Sequence, residues 1–216
     1  VNNLHVMLDS LPFLLEGAKN TVILSFFSII GALVMGLVIA LLRISRVKLL
    51  DYFGKLYVSF FRGTPLLIQL FILYYGLPSI EIRLTAWQAA FLGLILHFAA
   101  YISESLRAAI VSISKGQWEA AMSLGMDTKL ILKEVILPQA WRRAIPPVWN
   151  SLIDIVKASS LASVVTVSEL TYNADQMAAV SYKVMLILME AALIYWALTT
   201  FLNVLQGVLE RKLQIK

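Results

Sequence analysis

The chain contains no cysteine, which removes disulfides, thiolate nucleophiles and cysteine-ligated metals without by itself identifying a compartment. Charge is scarce as well, at 14% of 216 residues. Histidine occurs only as His5 and His97, in separate segments, so no metal centre is read from them. His97 reads as a helix-packing or cavity residue. Gly-x-Ser-x-Gly, His-Glu-x-x-His and a phosphate-binding loop are all missing. Ser112-Ile113-Ser114-Lys115 does fit Ser-x-x-Lys, but so short a pattern arises readily by chance. The chain is therefore not read as an enzyme, and it carries no cofactor of its own. Linkers, low-complexity tracts and internal repeats are likewise lacking.

Apolar residues are abundant: they make up 60% of the chain, with a mean hydropathy of +0.81, against about 45–50% in soluble domains. Such a composition belongs to a polytopic all-α membrane protein, one transmembrane domain over residues 1–216. At roughly 20 residues per crossing, five spans are expected: Thr21 to Leu42, Pro65 to Ile80, Leu84 to Ser103, Ile145 to Val165 and Val184 to Leu209. Ala32, Gly36 and Ala40 form a small-residue stripe that lets another helix come close. Val1 to Lys19 reads as a short interfacial helix with Leu4, Met7, Leu8 and Leu11 on one face, broken near Pro12. No basic segment precedes the first apolar run, so a cleavable signal is not expected. Arg43 to Arg62 reads as a basic loop, and Thr166 to Lys183 as a polar loop on the opposite face, with Glu169, Asn173 and Asp175. Met177, Met185 and Met189 read as packing or lipid-facing residues.

The sequence pI near 9.5 could point to nucleic acid, but in a membrane protein basic residues mark the cytoplasmic side. Of the 18 lysines and arginines, fourteen fall on one face, three on the other and Lys157 within a span. The orientation that follows is amino terminus outside, carboxyl terminus inside, in the cell membrane.

One stretch breaks the apolar pattern. In Lys115 to Leu124, Trp118, Ala121 and Met122 fall at helical spacing, with Gly125 where a left-handed cap would stand. Asp127 can cap a second short helix through Leu130, Ile131, Glu134 and Val135, interrupted by Pro138, and Pro146 and Pro147 then open the fourth span. Two short helices with a hard corner make a rigid knob. Glu119-Ala120-Ala121, Gly125 and Leu137-Pro138, with Val135 in place of the more usual isoleucine, define six positions over twenty residues. The pattern resembles the EAA loop of permease subunits of ABC importers, here within a coupling loop at about 114–143.

Two further segments resemble the polar amino-acid group of that family (histidine, glutamine, arginine and cystine): Arg62-Gly63-Thr64-Pro65 and the Ala-Tyr-x-x-Glu-x-x-Arg run through Tyr101, Glu104 and Arg107. Physically the first is also a helix start with an interfacial anchor. The resemblance covers essentially the whole chain and implies a type I importer permease fold. It also implies two permease subunits, identical or not, two ATPase subunits that bind ATP and Mg, and an extracytoplasmic amino-acid-binding protein. Trp118, Glu119, Ala120, Ala121, Gly125, Leu137 and Pro138 would then contact the ATPase. Five spans enclose too little volume for a gated pathway alone, which independently favours a dimer.

A zwitterionic substrate needs an acceptor and a donor within the bilayer, where charges are costly. Glu104 and Asp154 are candidate acceptors and Lys157 the candidate donor, with Asn150, Gln69 and Tyr101 adding neutral hydrogen bonds. Asn150, Asp154, Lys157 and Leu161 share a helix face. The same residues allow a plainer reading, in which Asp154 pairs with Lys157, Glu104 with Arg107, and Glu190 faces another helix. Permeases of this group usually carry an acid directly after the lysine, where this chain has Ala158. An ion-coupled secondary amino-acid transporter would use the intramembrane charges but not the knob; a membrane scaffold would use the knob but not the charges.

Overall fold

The computed structural model describes residues 3–45 and 47–213. Val1, Asn2, Arg46, the side chain of Leu4 and residues 214–216, some of which enter the sequence reading above, lie outside the described residues. The described residues form helices and short connections, with no strand among them.

Helix α1 runs unbroken from Asn3 to Ile44, about 60 Å at 1.5 Å per residue. The break expected at Pro12 does not occur. Pro12 lacks only the N–H that would bond the Leu8 carbonyl, and long-range contacts hold the segment on both sides. Asn173 Nδ2 donates to the Phe13 carbonyl at 2.8 Å, and Ser10 Oγ donates to Glu190 Oε2 at 2.7 Å. Leu14 and Ala18 are buried with Leu170, Ala174, Ile187 and Ala191 in a second apolar cluster.

The basic loop expected over 43–62 is largely helix α2, Lys48–Gly63. A bend of 101° separates it from Leu66–Ile80, which comprises α3 (Leu66–Phe71), a π turn and a 3-10 turn. The order of contacts shows that the two halves are one broken crossing. Gly54 lies on Arg43 and Ile39, Tyr57 donates to the Leu96 carbonyl at 2.6 Å, Leu70 and Leu73 lie on Gly93, and Tyr75 donates to the Val164 carbonyl at 3.0 Å. The second crossing thus begins in α2, earlier than the sequence reading placed it.

Helix α4, Ala86–Val111, starts with a capping box between Thr85 and Gln88. It runs parallel to α1, and the small-residue stripe sits where they meet. A Cβ on Gly36 would come within 2.9 Å of Ile102 Cγ2 and 3.1 Å of the Ala99 carbonyl oxygen, while Ala32 and Ala40 are fully buried.

After α5 (Lys115–Ser123), helical structure continues through α6 (Thr128–Leu130), a π turn (Ile131–Ile136), α7 (Leu137–Ala158) and a 3-10 segment (Ser159–Val165). Pro138 does not interrupt it, contrary to expectation, and Pro146 and Pro147, expected to open the fourth span, lie inside α7. The Leu137 amide bonds the Leu132 carbonyl in the π register, so Pro138 leaves the Lys133 carbonyl unpaired, and Pro146 and Pro147 leave those of Arg142 and Arg143; all three are exposed residues where water can replace the missing N–H. Trp149 Nε1 donates to the Leu202 carbonyl at 3.0 Å, packing α7 against α9, Val184–Lys212. Taken in chain order, α1, the α2–α3 pair, α4, α7 and α9 make five crossings.

Residues 166–183 are not a polar loop but helix α8, Leu170–Ser181, wedged between α1 and α9. Glu169 and Asn173 are buried, whereas Asp175 is exposed. Glu169 Oε1 accepts from the Tyr172 amide at 2.8 Å, capping α8. Its Oε2 accepts from Tyr195 at 2.6 Å and from Thr21 at 3.4 Å. Met185 and Met189 are exposed on α9, and Met177 packs on the second cluster.

Candidate functional site

Two places collect the residues singled out by sequence. The first is the corner after α5. Gly125 has φ 76°, its amide bonds the Met122 carbonyl at 2.9 Å, and the Met126 amide bonds the Ala121 carbonyl at 3.2 Å. This pair of bonds is the Schellman motif, which glycine enters without a Cβ penalty. Asp127 Oδ1 then accepts from the Leu130 amide at 2.7 Å, starting the next helix as expected. Behind the corner, Gln139 Nε2 donates to Gln117 Oε1 at 3.2 Å, and Arg143 Nη1 donates to the Ser112 carbonyl at 2.7 Å. The knob is therefore braced against the body of the molecule.

Its faces are divided. Ala121 is buried, and half-buried Trp118 packs on the main core, so Trp118 holds the corner in place and does not offer free apolar area. Glu119, Ala120, Met122 and Leu124 point away, Leu124 being 82% exposed. Leu137 and Pro138 are exposed at the start of α7.

The second place is an open cavity of about 550 Å³ between α4 and α7, lined by His97, Tyr101, Ser151, Asp154, Lys157 and Ser160 among others. Lys157 Nζ lies 2.8 Å from Asp154 Oδ1, and both side chains remain more than half exposed. Three of the six expected substrate residues, Tyr101, Asp154 and Lys157, thus meet here.

The others do not line the cavity. Gln69 is buried at the bend between α2 and α3 and touches the cavity only through His97, with Gln69 Oε1 3.2 Å from His97 Nδ1. Glu104 turns to the neighbouring face, where Arg43 of α1 and Arg107 of α4 both bind its carboxylate. The Glu104–Arg107 pair foreseen from spacing is real, but Arg43, 61 positions away, could not be foreseen. Asn150 accepts from Gln206 Nε2 of α9 at 3.2 Å, and Ser151 takes the cavity position instead. Sequence reasoning missed Ser151, Ser160 and the role of Arg62, whose guanidinium stands 5.1 Å from the Tyr101 ring centre. The i, i+3 step from Ser151 to Asp154 was the available signal.

This arrangement can exchange one charge pair for another. Asp154 and Lys157 neutralise each other, and a molecule bearing both an ammonium and a carboxylate would offer each an opposite charge without net charge entering the cavity. Among the described residues no group of His, Asp and Glu is arranged to hold a metal ion.

Comparison with known proteins places these features in context. Residues 10–215 match the family described as "Binding-protein-dependent transport system inner membrane component". The chain is 44% identical over 210 residues to the "Probable amino-acid ABC transporter permease protein YckA" of Bacillus subtilis (strain 168), covering 97% of this chain and 93% of that protein. It is 41% identical over 203 residues to the "L-cystine transport system permease protein TcyB" of the same organism, covering 94% and 87%. A solved structure described as "Crystal structure of an amino acid ABC transporter with histidines" superposes with a TM-score of 0.94 at 33% identity, over 98% of this chain and 99% of that one.

Proposed function

Because this chain belongs to the inner membrane components of binding-protein-dependent transport systems, the permeases of ABC importers, we propose that it is the transmembrane subunit of an ATP-driven importer of polar amino acids. The observation that carries this reading is the Asp154–Lys157 pair in a cavity between two crossings, 2.8 Å apart and open to a ligand. A zwitterion fits that pair and an uncharged solute does not. Charged residues within a crossing cost roughly 2.5–3.5 kcal/mol each on insertion scales when they meet lipid, and here they face an open cavity instead.

In this reading ATP and Mg are bound by a partner ATPase, present in two copies, which receives the exposed face of α5 as a helix in a groove. Glu119, Ala120, Met122 and Leu124 supply that face, and Trp118, Ala121 and Gly125 hold its shape. A second permease subunit completes the pathway, and an extracytoplasmic binding protein delivers the amino acid. The amino terminus lies outside and the carboxyl terminus in the cytoplasm, as the basic residues indicate. An ion-coupled carrier would have no use for the braced knob.

The test is uptake and substrate-stimulated ATP hydrolysis by reconstituted complexes carrying Lys157→Met or Asp154→Asn. Assembly is expected to persist, with uptake reduced at least tenfold in the Lys157 variant. Uptake at wild-type level in both variants would reject the cavity as the substrate site.

A further inference from the structure

The bend in the second crossing bears on what the cavity can recognise. Pro65 has no N–H, so the Phe61 carbonyl loses its partner four residues on. Gln69 Nε2 replaces it, donating to the Phe61 carbonyl at 3.1 Å, the Thr64 carbonyl at 3.2 Å and Thr64 Oγ1 at 2.8 Å. Carbonyl oxygens only accept, so the amide nitrogen of Gln69 must lie on that side. Its oxygen is thereby turned to His97 Nδ1, 3.2 Å away. An amide oxygen cannot donate, so Nδ1 of His97 carries the hydrogen. In the neutral ring Nε2 is left as a bare acceptor, and among the described residues it makes no hydrogen bond.

The charges around the cavity act in the same direction. Asp154 and Lys157 are its only charged lining groups among the described residues, and they cancel. Glu104, one turn along α4 from Tyr101, is already held by two arginines. Arg62 stands over the Tyr101 ring, 5.1 Å from its centre. Once a zwitterion has taken up Asp154 and Lys157, a cationic side chain finds no free carboxylate and a guanidinium nearby. An anionic side chain meets the lone pair of His97 Nε2. An uncharged N–H or O–H donor is the group that finds a partner.

We propose that His97 reads the substrate side chain, and that the cavity selects amino acids whose uncharged side chain donates a hydrogen bond, of the glutamine and asparagine class, over cationic and anionic ones. This rests on the reading of the cavity as the substrate site. Gln69 is then a positioning residue, which holds His97 in the accepting tautomer and at the same time closes the bend.

Equilibrium binding of radiolabelled glutamine and alanine to the permease–ATPase complex in lipid nanodiscs, without binding protein, tests this. Arginine, glutamate and cystine serve as competitors. Glutamine is expected to bind at least tenfold tighter than arginine or glutamate. His97→Phe is expected to weaken glutamine about tenfold, the worth of one lost hydrogen bond, while leaving alanine unchanged. His97→Gln, which keeps an acceptor, should restore most of the loss. Tighter binding of arginine, glutamate or cystine than of glutamine overturns the proposal, and so does an equal loss of glutamine and alanine in His97→Phe. Lys157→Met separates the two levels of inference. If it abolishes binding of all amino acids, the site reading stands whatever the ranking; if binding survives it, or no amino acid binds the wild type, both readings fail.

Discussion

Glu104 sits between two guanidinium groups, and the Nε atoms of both Arg43 and Arg107 are buried without an acceptor among the described residues. Removing its charge leaves two cations facing each other across the α1–α4 contact. Glu104→Gln should therefore lower the stability of the solubilised subunit by about 2–3 kcal/mol, seen as a drop in melting temperature, with amino-acid affinity unchanged. Lost affinity at unaltered melting temperature would return Glu104 to the substrate site. Glu169, outside the apolar crossing segments, poses the opposite case. Burial pushes its carboxyl above the ordinary range, against the opposing effect of hydrogen bonds from Tyr195, Thr21 and the backbone of α8. The folded state thus binds the proton more tightly than the unfolded chain. Its contribution to stability is complete below the unfolded value of 4.5 and is lost as pH rises through the higher folded value. Melting temperature measured against pH should decline across that window in the wild type and be flatter in Glu169→Gln, whose amide resembles the protonated acid. Identical profiles would mean that burial does not shift Glu169.

At the scale of the element, the corner after α5 depends on one backbone conformation and one anchor. Gly125 at φ 76° has open space around a would-be Cβ, so any penalty for substitution comes from the backbone alone. Gly125→Val should cost about 1–2 kcal/mol locally and reorient α5, weakening ATPase capture. Trp118→Ala should do the same by removing the packing under the knob. Glu119→Lys and Met122→Lys should weaken capture while leaving melting temperature alone, because both side chains are exposed. Capture of the ATPase at wild-type strength by all four variants would sink the coupling assignment.

For the whole molecule, five crossings would put Asn3 and Leu213 on opposite faces of the membrane. The chain has no native cysteine, so single cysteines report topology without background. A cysteine at Asp175, exposed on α8, should react with an impermeant reagent added outside; one at Lys129, exposed beside the corner, should react only after the membrane is opened. The reverse pattern would invert the orientation and place the knob away from any cytoplasmic ATPase. The bent second crossing adds a constraint of its own, because the contacts of Gly54, Tyr57 and Leu70 keep it antiparallel to both α1 and α4.

The sequence by itself determined what depends on near neighbours. Apolar run length set the number of crossings but not where the second begins, Asp127 and Gly125 set the corner, Ala32, Gly36 and Ala40 set the close approach, and i, i+3 spacing brought Asp154 to Lys157. Each follows from helical periodicity or from a backbone preference that acts over four or five residues. Only the tertiary structure decided the rest. Helical structure continues through Pro12 because long-range contacts hold the chain on both sides of it, and through Pro138, Pro146 and Pro147 because the carbonyls they orphan belong to exposed residues that water can serve; nothing local specifies either. The polar stretch around Glu169 is buried because Thr21 and Tyr195 come from α1 and α9 to meet it. Glu104 faces Arg43, Asn150 faces Gln206, and Gln69 bonds the backbone of the bend and His97, because the rotation of each helix about its axis is set by the helices packed around it. Periodicity says which residues share a face; packing says what that face meets.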